Sequence, residues 1–313
     1  MGFSLPLVTI VTSTYRHEKY LRKTIDSVLN QDYPNIEYIV INDGSPDGTE
    51  EILRSYGNRF HWETQKNMGE VPTLNRAIAM AKGDLVGKLS SDDYLYPTCV
   101  SEIVNQFIND PELIVVYTDF DVVDENDSLI KTIVNRDFDD VQAVRDHLCL
   151  PGTGTLFRKR IFEKTGGFYT GFRILFDLDF WWRASLLGKI VRLPVTLSAF
   201  RQHGASQSQG GGSLMAEETV ECVRRFYLNP DLPSRFHRIK NAAFSNAFYA
   251  AALQSFFGKD MNKSKKYLIL SFLYSPINYI RRANWAKAKN IIDIITFPGV
   301  GNFMARIVKK LGR

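Results

Sequence analysis

Hydrophobic and polar positions alternate between two periods along the first 120 residues. Short apolar runs rich in β-branched residues predict buried strands at Leu7–Val11, Ile36–Ile41, Leu85–Leu89 and Leu113–Tyr117. Apolar residues spaced three and four positions apart predict helices between them, near residues 21–29, 49–56, 74–81 and 97–108. Strands that alternate with helices are typical of βαβ units, so we predict an α/β fold with a mostly parallel sheet flanked by helices.

The pattern changes twice after residue 120. It becomes mixed, with longer loops, and ends near the glycine cluster Gln209–Ser213, which is typical of a joint. Beyond the cluster the chain is helical, with apolar faces through residues 220–227, 242–257 and 267–273. We therefore predict a first domain of residues 1–210 and a helical C-terminal region of residues 211–313.

Charge is divided unevenly along the 313 residues, whose formal net charge is +5. Residues 259–313 contain twelve Lys and Arg residues and two acids, a net charge of +10, whereas residues 1–258 carry −5. Such a segment indicates either an anionic partner or the solvated face of a terminal helix. We predict peripheral contact of this basic tail with an anionic membrane, and no nucleic-acid partner.

The sequence carries no pattern typical of an exported or membrane-integral protein. It begins without a basic n-region and runs into a strand pattern, so no signal peptide is predicted. The longest apolar tract, residues 267–279, is shorter than the ~20 residues that span a bilayer. The three cysteines are far apart in the sequence and show no CxxC or Cys/His ligand spacing, which indicates the reduced thiols of a cytosolic protein. We predict a cytoplasmic protein, peripheral at the inner face of the membrane.

Polar, acid-bearing turns follow three of the predicted strands. They comprise residues 12–16, 42–47 and 90–93, and parallel strands bring such turns to one edge of the sheet. The adjacent carboxylates of Asp92 and Asp93 repel each other unless a cation neutralises them, and oxygen ligands suit Mg²⁺ or Mn²⁺ on a diphosphate. The alternative is a helix start, because Asp favours N-caps and Pro97 follows.

Three further side chains are candidates for binding or catalysis. Asp43 can accept hydrogen bonds from a nucleotide base, or it can form an Asx-turn. Asp177 can serve as a general base, or it can cap a helix and, with its neighbour Asp179, pair with Arg183. His203 can ligate a divalent ion, although a single histidine is as often structural.

Signatures of other nucleotide and metal enzymes are missing. His17 and Glu18 begin like the zinc motif HExxH, but Leu21 occupies the position of the second histidine. No GxGxxG or Walker A pattern follows a predicted strand, which argues against dinucleotide and P-loop chemistry.

Taken together and in order, these segments resemble glycosyltransferase family 2, the inverting transferases of the GT-A fold. The resemblance covers roughly residues 5–210, and several blocks at ordered spacing are far more specific than any one of them. The blocks are Val8–Tyr15, Ser27–Pro34, Tyr38–Thr49, Asn67–Gly69, Asn75, Ala81–Asp84, Gly166–Phe168, Asp177 with Trp181 and Arg183, and Arg201–Ser206.

The resemblance implies that residues 1–210 form a catalytic domain that binds a nucleotide-sugar donor. Ser13, Thr14, Tyr15 and Asp43 would hold the base, and Asp92 would reach the ribose. A uridine diphosphate sugar is the donor that the resemblance favours, while thymidine and guanosine forms remain open.

The resemblance also implies how the reaction proceeds. Asp93 would hold Mn²⁺ or Mg²⁺ on the diphosphate, and His203 would be a further metal or phosphate contact. Asp177 would take the proton of an acceptor hydroxyl as it attacks the anomeric carbon, in one inverting displacement. The acceptor would be a glycan or a lipid-linked sugar, in the synthesis of a polysaccharide, a glycolipid or another cell-surface glycan.

Three positions depart from the family pattern. Ser90 stands where Asp is common, Leu74 where Arg is common, and Phe176 where an acid usually precedes the catalytic Asp. These departures leave as an alternative a non-catalytic protein of the same fold that binds nucleotide or glycan. A sugar-phosphate nucleotidyltransferase would need a glycine-rich basic loop after the first strand, and Thr12–Arg16 contains no glycine.

Overall fold

The computed structural model describes residues 5–204 and 212–276, which divide into two compact units. The first unit comprises residues 5–138 and 149–204, and the second comprises residues 139–148 and 212–276. The domain boundary at residues 210 and 211 stays a prediction. Most of the predicted glycine joint and the tail beyond residue 276 lie outside the described residues, so the membrane contact of the tail also stays a prediction.

Strands and helices alternate strictly in the first half of the first unit, which confirms the predicted pattern. Their bounds are β1 (Val8–Thr14), α1 (Glu18–Leu29), β2 (Ile36–Asn42), α2 (Thr49–Ser55), β3 (His61–Thr64), α3 (Glu70–Met80) and β4 (Leu85–Lys88). The four strands lie side by side in the order β3-β2-β1-β4, and all three pairings are parallel.

Close packing within the sheet explains one residue of β4. A Cβ atom on Gly87 would lie 2.6 Å from the side chain of Leu156 and 2.9 Å from that of Ile10. A side chain at position 87 would therefore have to displace the ends of these two apolar side chains.

The next elements extend the sheet and add one helix of the second unit. Their bounds are β5 (Tyr94–Leu95), α4 (Cys99–Asn109), β6 (Leu113–Val123), β7 (Leu129–Ile133), α5 (Asp140–Asp146), β8 (Thr155–Arg158), α6 (Lys159–Thr165), α7 (Phe176–Ala184) and β9 (Lys189–Arg201). The strand order is β3-β2-β1-β4-β8-β6-β9-β5, with β7 beside β6.

The sheet is mixed rather than parallel throughout. β8 runs antiparallel to both β4 and β6, whereas β9 is parallel to β6. β6 and β7 form a hairpin whose turn is closed by Asp124, which accepts hydrogen bonds from the backbone N–H groups of Asn126 and Ser128 at 2.8 and 2.9 Å. The α/β architecture with a sheet flanked by helices is confirmed, and its parallel part is the half that carries β1 to β4.

The second unit is helical. α8 (Gly212–Phe226), α9 (Ser234–Phe257) and α10 (Met261–Tyr274) enclose buried aromatic side chains. α5 packs on α9, because Arg235 pairs with Asp140 at 2.7 Å and the side chain of Asn246 donates to the backbone oxygen of Arg145 at 2.8 Å. Across residues 5–204 and 212–276, no helix combines the length and the hydropathy needed to cross a membrane.

Candidate active site at the carboxyl end of the sheet

Three neighbouring parallel strands end at the same edge of the sheet. In the order β2-β1-β4, the polar turns that follow Asn42, Thr14 and Lys88 lie side by side. The backbone pairing of β1 and β2 continues into the turn, because the N–H of Asp43 donates to the oxygen of Thr14 at 2.9 Å. This edge is where an open α/β sheet binds its ligands.

Asp43 holds a loop against the end of β2. Its carboxylate is 2% exposed and accepts hydrogen bonds from the side chain of Gln65 at 2.8 Å and from the backbone N–H groups of Met68 and Gly69 at 2.9 and 2.8 Å. Gly44 adopts a φ of +72°, and a Cβ atom there would lie 3.0 Å from the backbone of the same loop. The contact of Asp43 with a nucleotide base stays a prediction.

The end of β1 carries the other residues predicted to hold the base. Thr14 is 1% exposed, and within the described part of the chain its Oγ1 has no hydrogen-bond partner. Ser13 is half-buried, and Tyr15 is exposed with the Arg16 guanidinium 5.3 Å from its ring centre. Because buried hydroxyls are normally paired, Thr14 is an exception among the polar residues at this strand end.

The carboxylates of Asp92 and Asp93 have different surroundings. Asp93 is 3% exposed and accepts the backbone N–H of Arg201 at 2.9 Å. Burial, and next the charge of Asp92, raise the pKa of Asp93 well above its usual range. Asp92 is half-buried, and its Oδ2 lies 2.9 Å from Nε2 of His203. The structure therefore brings Asp92, rather than Asp93, beside His203.

A second histidine completes this group. His17, Asp92 and His203 each place one potential ligand atom within 4.8 Å of the others. Nδ1 of His17 lies 2.7 Å from Oγ of Ser91, and such a contact fixes the orientation of an imidazole ring. The sequence pattern did not reveal His17 as a site residue, because its local spacing suggested only an incomplete zinc motif.

Arg201 fixes the end of β9, from which His203 projects, against the turn that carries Asp92. Its side chain is 2% exposed, and its Nε donates to the backbone oxygen of Asp92 at 2.9 Å. Its guanidinium pairs with Asp127 at 2.6 Å and lies 4.8 Å from the ring centre of Tyr20. The hydrogen bond to the backbone of Asp92, the ion pair and the cation–π contact together hold the end of β9 against this turn.

Asp177 lies in the first turn of α7, and its Oδ1 accepts the backbone N–H of Leu178 at 2.7 Å. Burial raises the pKa of Asp177, while the ammonium group of Lys88 is the largest influence that lowers it. The charge of Lys88 also acts on Asp93, so one ammonium group influences both the turn after β4 and the first turn of α7.

Two of the three departures from the family pattern have a structural explanation. Leu74 is 1% exposed and lies on the buried face of α3, where it packs in the hydrophobic core. Phe176 is buried, and Nζ of Lys88 lies 4.7 Å from its ring centre. The aromatic ring at position 176 therefore makes a cation–π contact with Lys88.

Asp179 has a structural partner of its own. Its carboxylate is 2% exposed and pairs with Arg183 at 2.5 Å, and Arg183 also donates to the backbone oxygens of Thr165 and Gly167 at 2.7 and 2.9 Å. We expect Asp179→Asn to lower the free energy of unfolding by about 1–3 kcal/mol, because the half-buried Arg183 loses the charge of its buried partner. Chemical denaturation measures this loss. Turnover per folded molecule should stay near the wild-type value, and a large loss of turnover at unchanged stability would make Asp179 a catalytic residue instead.

The profile of the family described as Glycosyl transferase family 2 matches residues 9–166 of this chain, a range that contains β2, β4, the Asp92–Asp93 turn and all of β1 except Val8. The chain belongs to glycosyl transferase family 2. This family 2 chain has the GT-A fold, in which the mixed sheet and the helical C-terminal region are both present.

Two curated relatives show how far the similarity extends. The family 2 chain is 32% identical over 186 residues to an uncharacterized glycosyltransferase of Rickettsia typhi. The alignment covers 57% of this chain and 58% of the relative. It is 32% identical over 197 residues to the chondroitin synthase of Pasteurella multocida. This alignment covers 60% of this chain and 20% of the synthase. The matched region thus spans less than two thirds of either relative.

Two solved structures share the fold of this family 2 chain at low sequence identity. Residues 1–349 of Staphylococcus aureus TarS, in complex with UDP-GlcNAc, superpose with a TM-score of 0.65 at 18% identity, covering 92% of this chain and 91% of that one. The mannosyltransferase PcManGT of Pyrobaculum calidifontis, in complex with GDP-Man and Mn²⁺, gives a TM-score of 0.59 at 16% identity, covering 96% and 88%.

Proposed function

We propose that this chain is an inverting, metal-dependent glycosyltransferase that moves a sugar from a nucleotide-sugar donor onto an acceptor hydroxyl. The observation that supports this function most is the position of the turn after β4. Asp92 of this turn contacts His203 at 2.9 Å, and the charge of Lys88, the last residue of β4, acts on Asp177. A cation-binding group and a candidate base therefore lie at the same edge of the sheet.

The donor is a nucleoside diphosphate sugar. The half-buried Ser13 and the exposed Tyr15 at the end of β1, together with the adjacent turn after β2, supply polar side chains at neighbouring strand ends. TarS and PcManGT, which share the fold, are seen with UDP-GlcNAc and GDP-Man. We favour a uridine diphosphate sugar, which agrees with the resemblance of the β1 turn to the family pattern.

The residues present fit a divalent cation. Two imidazole rings and one carboxylate form a donor set that accepts Mn²⁺ and related ions. The 2.9 Å between Asp92 Oδ2 and His203 Nε2 is also close to the roughly 3 Å that separates neighbouring ligands bound at ~2.1 Å. When bound, the ion neutralises charge that develops on the leaving diphosphate. We assign the ion to His17, Asp92 and His203, with Asp93 behind them.

Asp177 is the general base. Its carboxylate accepts the proton of the acceptor hydroxyl, while the hydroxyl oxygen forms a bond to the anomeric carbon of the donor sugar. The bond between that carbon and the diphosphate oxygen breaks in the same displacement, so the configuration inverts and no covalent enzyme intermediate forms. The similarity to a chondroitin synthase supports a glycan acceptor, and hence a function in polysaccharide or other cell-surface glycan synthesis.

Donor binding tests this proposal directly. We expect one nucleotide sugar of a panel to stabilise the protein in thermal unfolding with Mn²⁺, and to stabilise it less without the ion. A ligand at a hundredfold excess over its Kd adds about 2.7 kcal/mol to the free energy of unfolding. Stabilisation without transfer to any glycan acceptor would favour the non-catalytic binding protein, and no stabilisation by any donor would refute donor binding.

A further inference from the structure

The side chain of Lys88 lies among acidic and aromatic groups although its residue ends a strand at the sheet edge. Its Nζ is 3.6 Å from Oε1 of Glu70, the first residue of α3, and both side chains are 25% exposed. The same Nζ lies 4.7 Å from the ring centre of Phe176, a cation–π distance. Lys88 therefore joins the start of α3 to the first turn of α7.

Four ionisable groups act electrostatically on the ammonium group of Lys88. They are Glu70 from α3, Asp177 from α7, Asp93 from the turn after β4, and Cys149 from the segment before β8. Burial lowers the pKa of Lys88, and the negative charges around it more than offset this effect, so the pKa is raised. Lys88 consequently keeps its charge at every pH at which a carboxylate titrates.

Asp177 is influenced by one charge and by hydrogen bonds. Lys88 acts on it through its charge, Cys149 through a side-chain hydrogen bond, and the backbone N–H of Leu178 donates to its Oδ1. Burial raises the pKa of Asp177, and the Lys88 ammonium is the largest opposing influence. Without that ammonium group, Asp177 would be protonated at a higher pH than it is now.

We propose that Lys88 is a positioning residue for Asp177, a role that rests on the proposed function. Its ammonium group, which lies 4.7 Å from the ring centre of the adjacent Phe176, keeps the Asp177 carboxylate ionised at neutral pH. Lys88 acts through Asp177 and does not itself exchange a proton with the substrate.

The pH profile of turnover tests this role with two variants. Lys88→Met keeps the length of the side chain and removes the charge. Because Asp177 must be deprotonated to act, a higher pKa of Asp177 lowers the fraction of active enzyme first at acid pH. We expect the acid limb of kcat to move to higher pH, with a loss of about tenfold on that limb for each unit of movement and a smaller loss at pH 8. The KM for the donor should not change, and Lys88→Arg should keep the wild-type limb.

Glu70→Gln is the matched control. It breaks the Lys88–Glu70 pair but leaves the ammonium group beside Asp177, so the acid limb should not move to higher pH. If Glu70→Gln shifts the limb as Lys88→Met does, or if Lys88→Met lowers kcat equally at every pH, then Lys88 has a structural role alone and the proposal is wrong.

A titration of the donor-free protein separates this inference from the proposed function. The carboxyl carbon of Asp177 can be followed by ¹³C NMR and assigned with the Asp177→Asn variant. We expect its midpoint to lie at higher pH in Lys88→Met than in the wild type, and an equal midpoint overturns the inference. A shifted midpoint in a protein that transfers no sugar would leave the Lys88–Asp177 coupling in place and count against the proposed function only.

Discussion

Asp177→Asn is expected to lower kcat by about 10²–10⁴-fold, the usual range for a lost general base. Asn has nearly the same shape as Asp, and its side-chain oxygen can still accept the N–H of Leu178, as Asp177 does at 2.7 Å. It cannot take a proton, so the substitution isolates the chemical step from the fold. Initial rates at saturating donor and acceptor measure the loss.

Donor affinity is the internal control for this variant. The residues proposed to contact the nucleotide and the ion lie at the end of β1 and on the turns after β1, β2, β4 and β9, so Asp177→Asn should leave the donor Kd within a few-fold of the wild type. The Asp179→Asn variant is the matched control on the same helix, because its carboxylate is paired with Arg183. Near-normal turnover in Asp177→Asn together with a large loss in Asp179→Asn would place the base two positions further along α7.

The wild-type pH profile carries the same information. Burial raises the pKa of Asp177, so the ionised form that acts as base is lost at a higher pH than for an exposed aspartate. Transfer should therefore decline on the acid side before ordinary surface carboxylates titrate, and the decline should be absent from the residual activity of Asp177→Asn.

Local patterns were sufficient to predict the parallel half of the sheet. The runs at β1, β2 and β4 are apolar and β-branched, and each is followed at once by polar residues, so period and polarity alone locate the strand ends. Parallel pairing then brings those ends to one edge without any knowledge of side-chain contacts. The position of the site followed from these two facts.

The partners within the site could not be predicted in this way. Asp92 and His203 are 111 residues apart, and His17 and Ser91 are 74 residues apart, so no local spacing links them. The cation–π contact of Lys88 with Phe176 depends likewise on how α7 packs at the end of β4. Such contacts are fixed by tertiary packing. The spacing of apolar and polar residues in a single sequence carries no information about them.

The antiparallel half of the sheet was missed for a related reason. β8 is four residues long and lies between β4 and β6, although it follows both in the chain. Its apolar run is too short for a period to show its direction, and the turn residues that close the β6–β7 hairpin, such as Asp124, also favour plain loops. Strand direction there is set by register with distant strands.

Removal of divalent cations is expected to abolish transfer, and Mn²⁺ or Mg²⁺ should restore it. The charge on the leaving diphosphate needs a counter-charge, and the described residues around Asp92 offer ligand atoms for one in His17 and His203. Transfer assayed in excess EDTA, and again after addition of each ion, measures the effect. Full activity in excess EDTA would show that the protein works without a metal.

Single substitutions distinguish the two aspartates of the turn. We expect Asp92→Asn and His203→Gln each to weaken Mn²⁺ binding by at least about tenfold, and His17→Gln to do the same, because each removes one member of the group within 4.8 Å. Asp93→Asn should change it only a few-fold, since the Asn oxygen can still accept the N–H of Arg201 that Asp93 accepts at 2.9 Å. Calorimetric titration with Mn²⁺ in the presence of uridine diphosphate measures all four variants. A strong loss in Asp93→Asn with no loss in Asp92→Asn would return the ion to Asp93, the position that the family resemblance implied, and would leave His17 without a role in binding it.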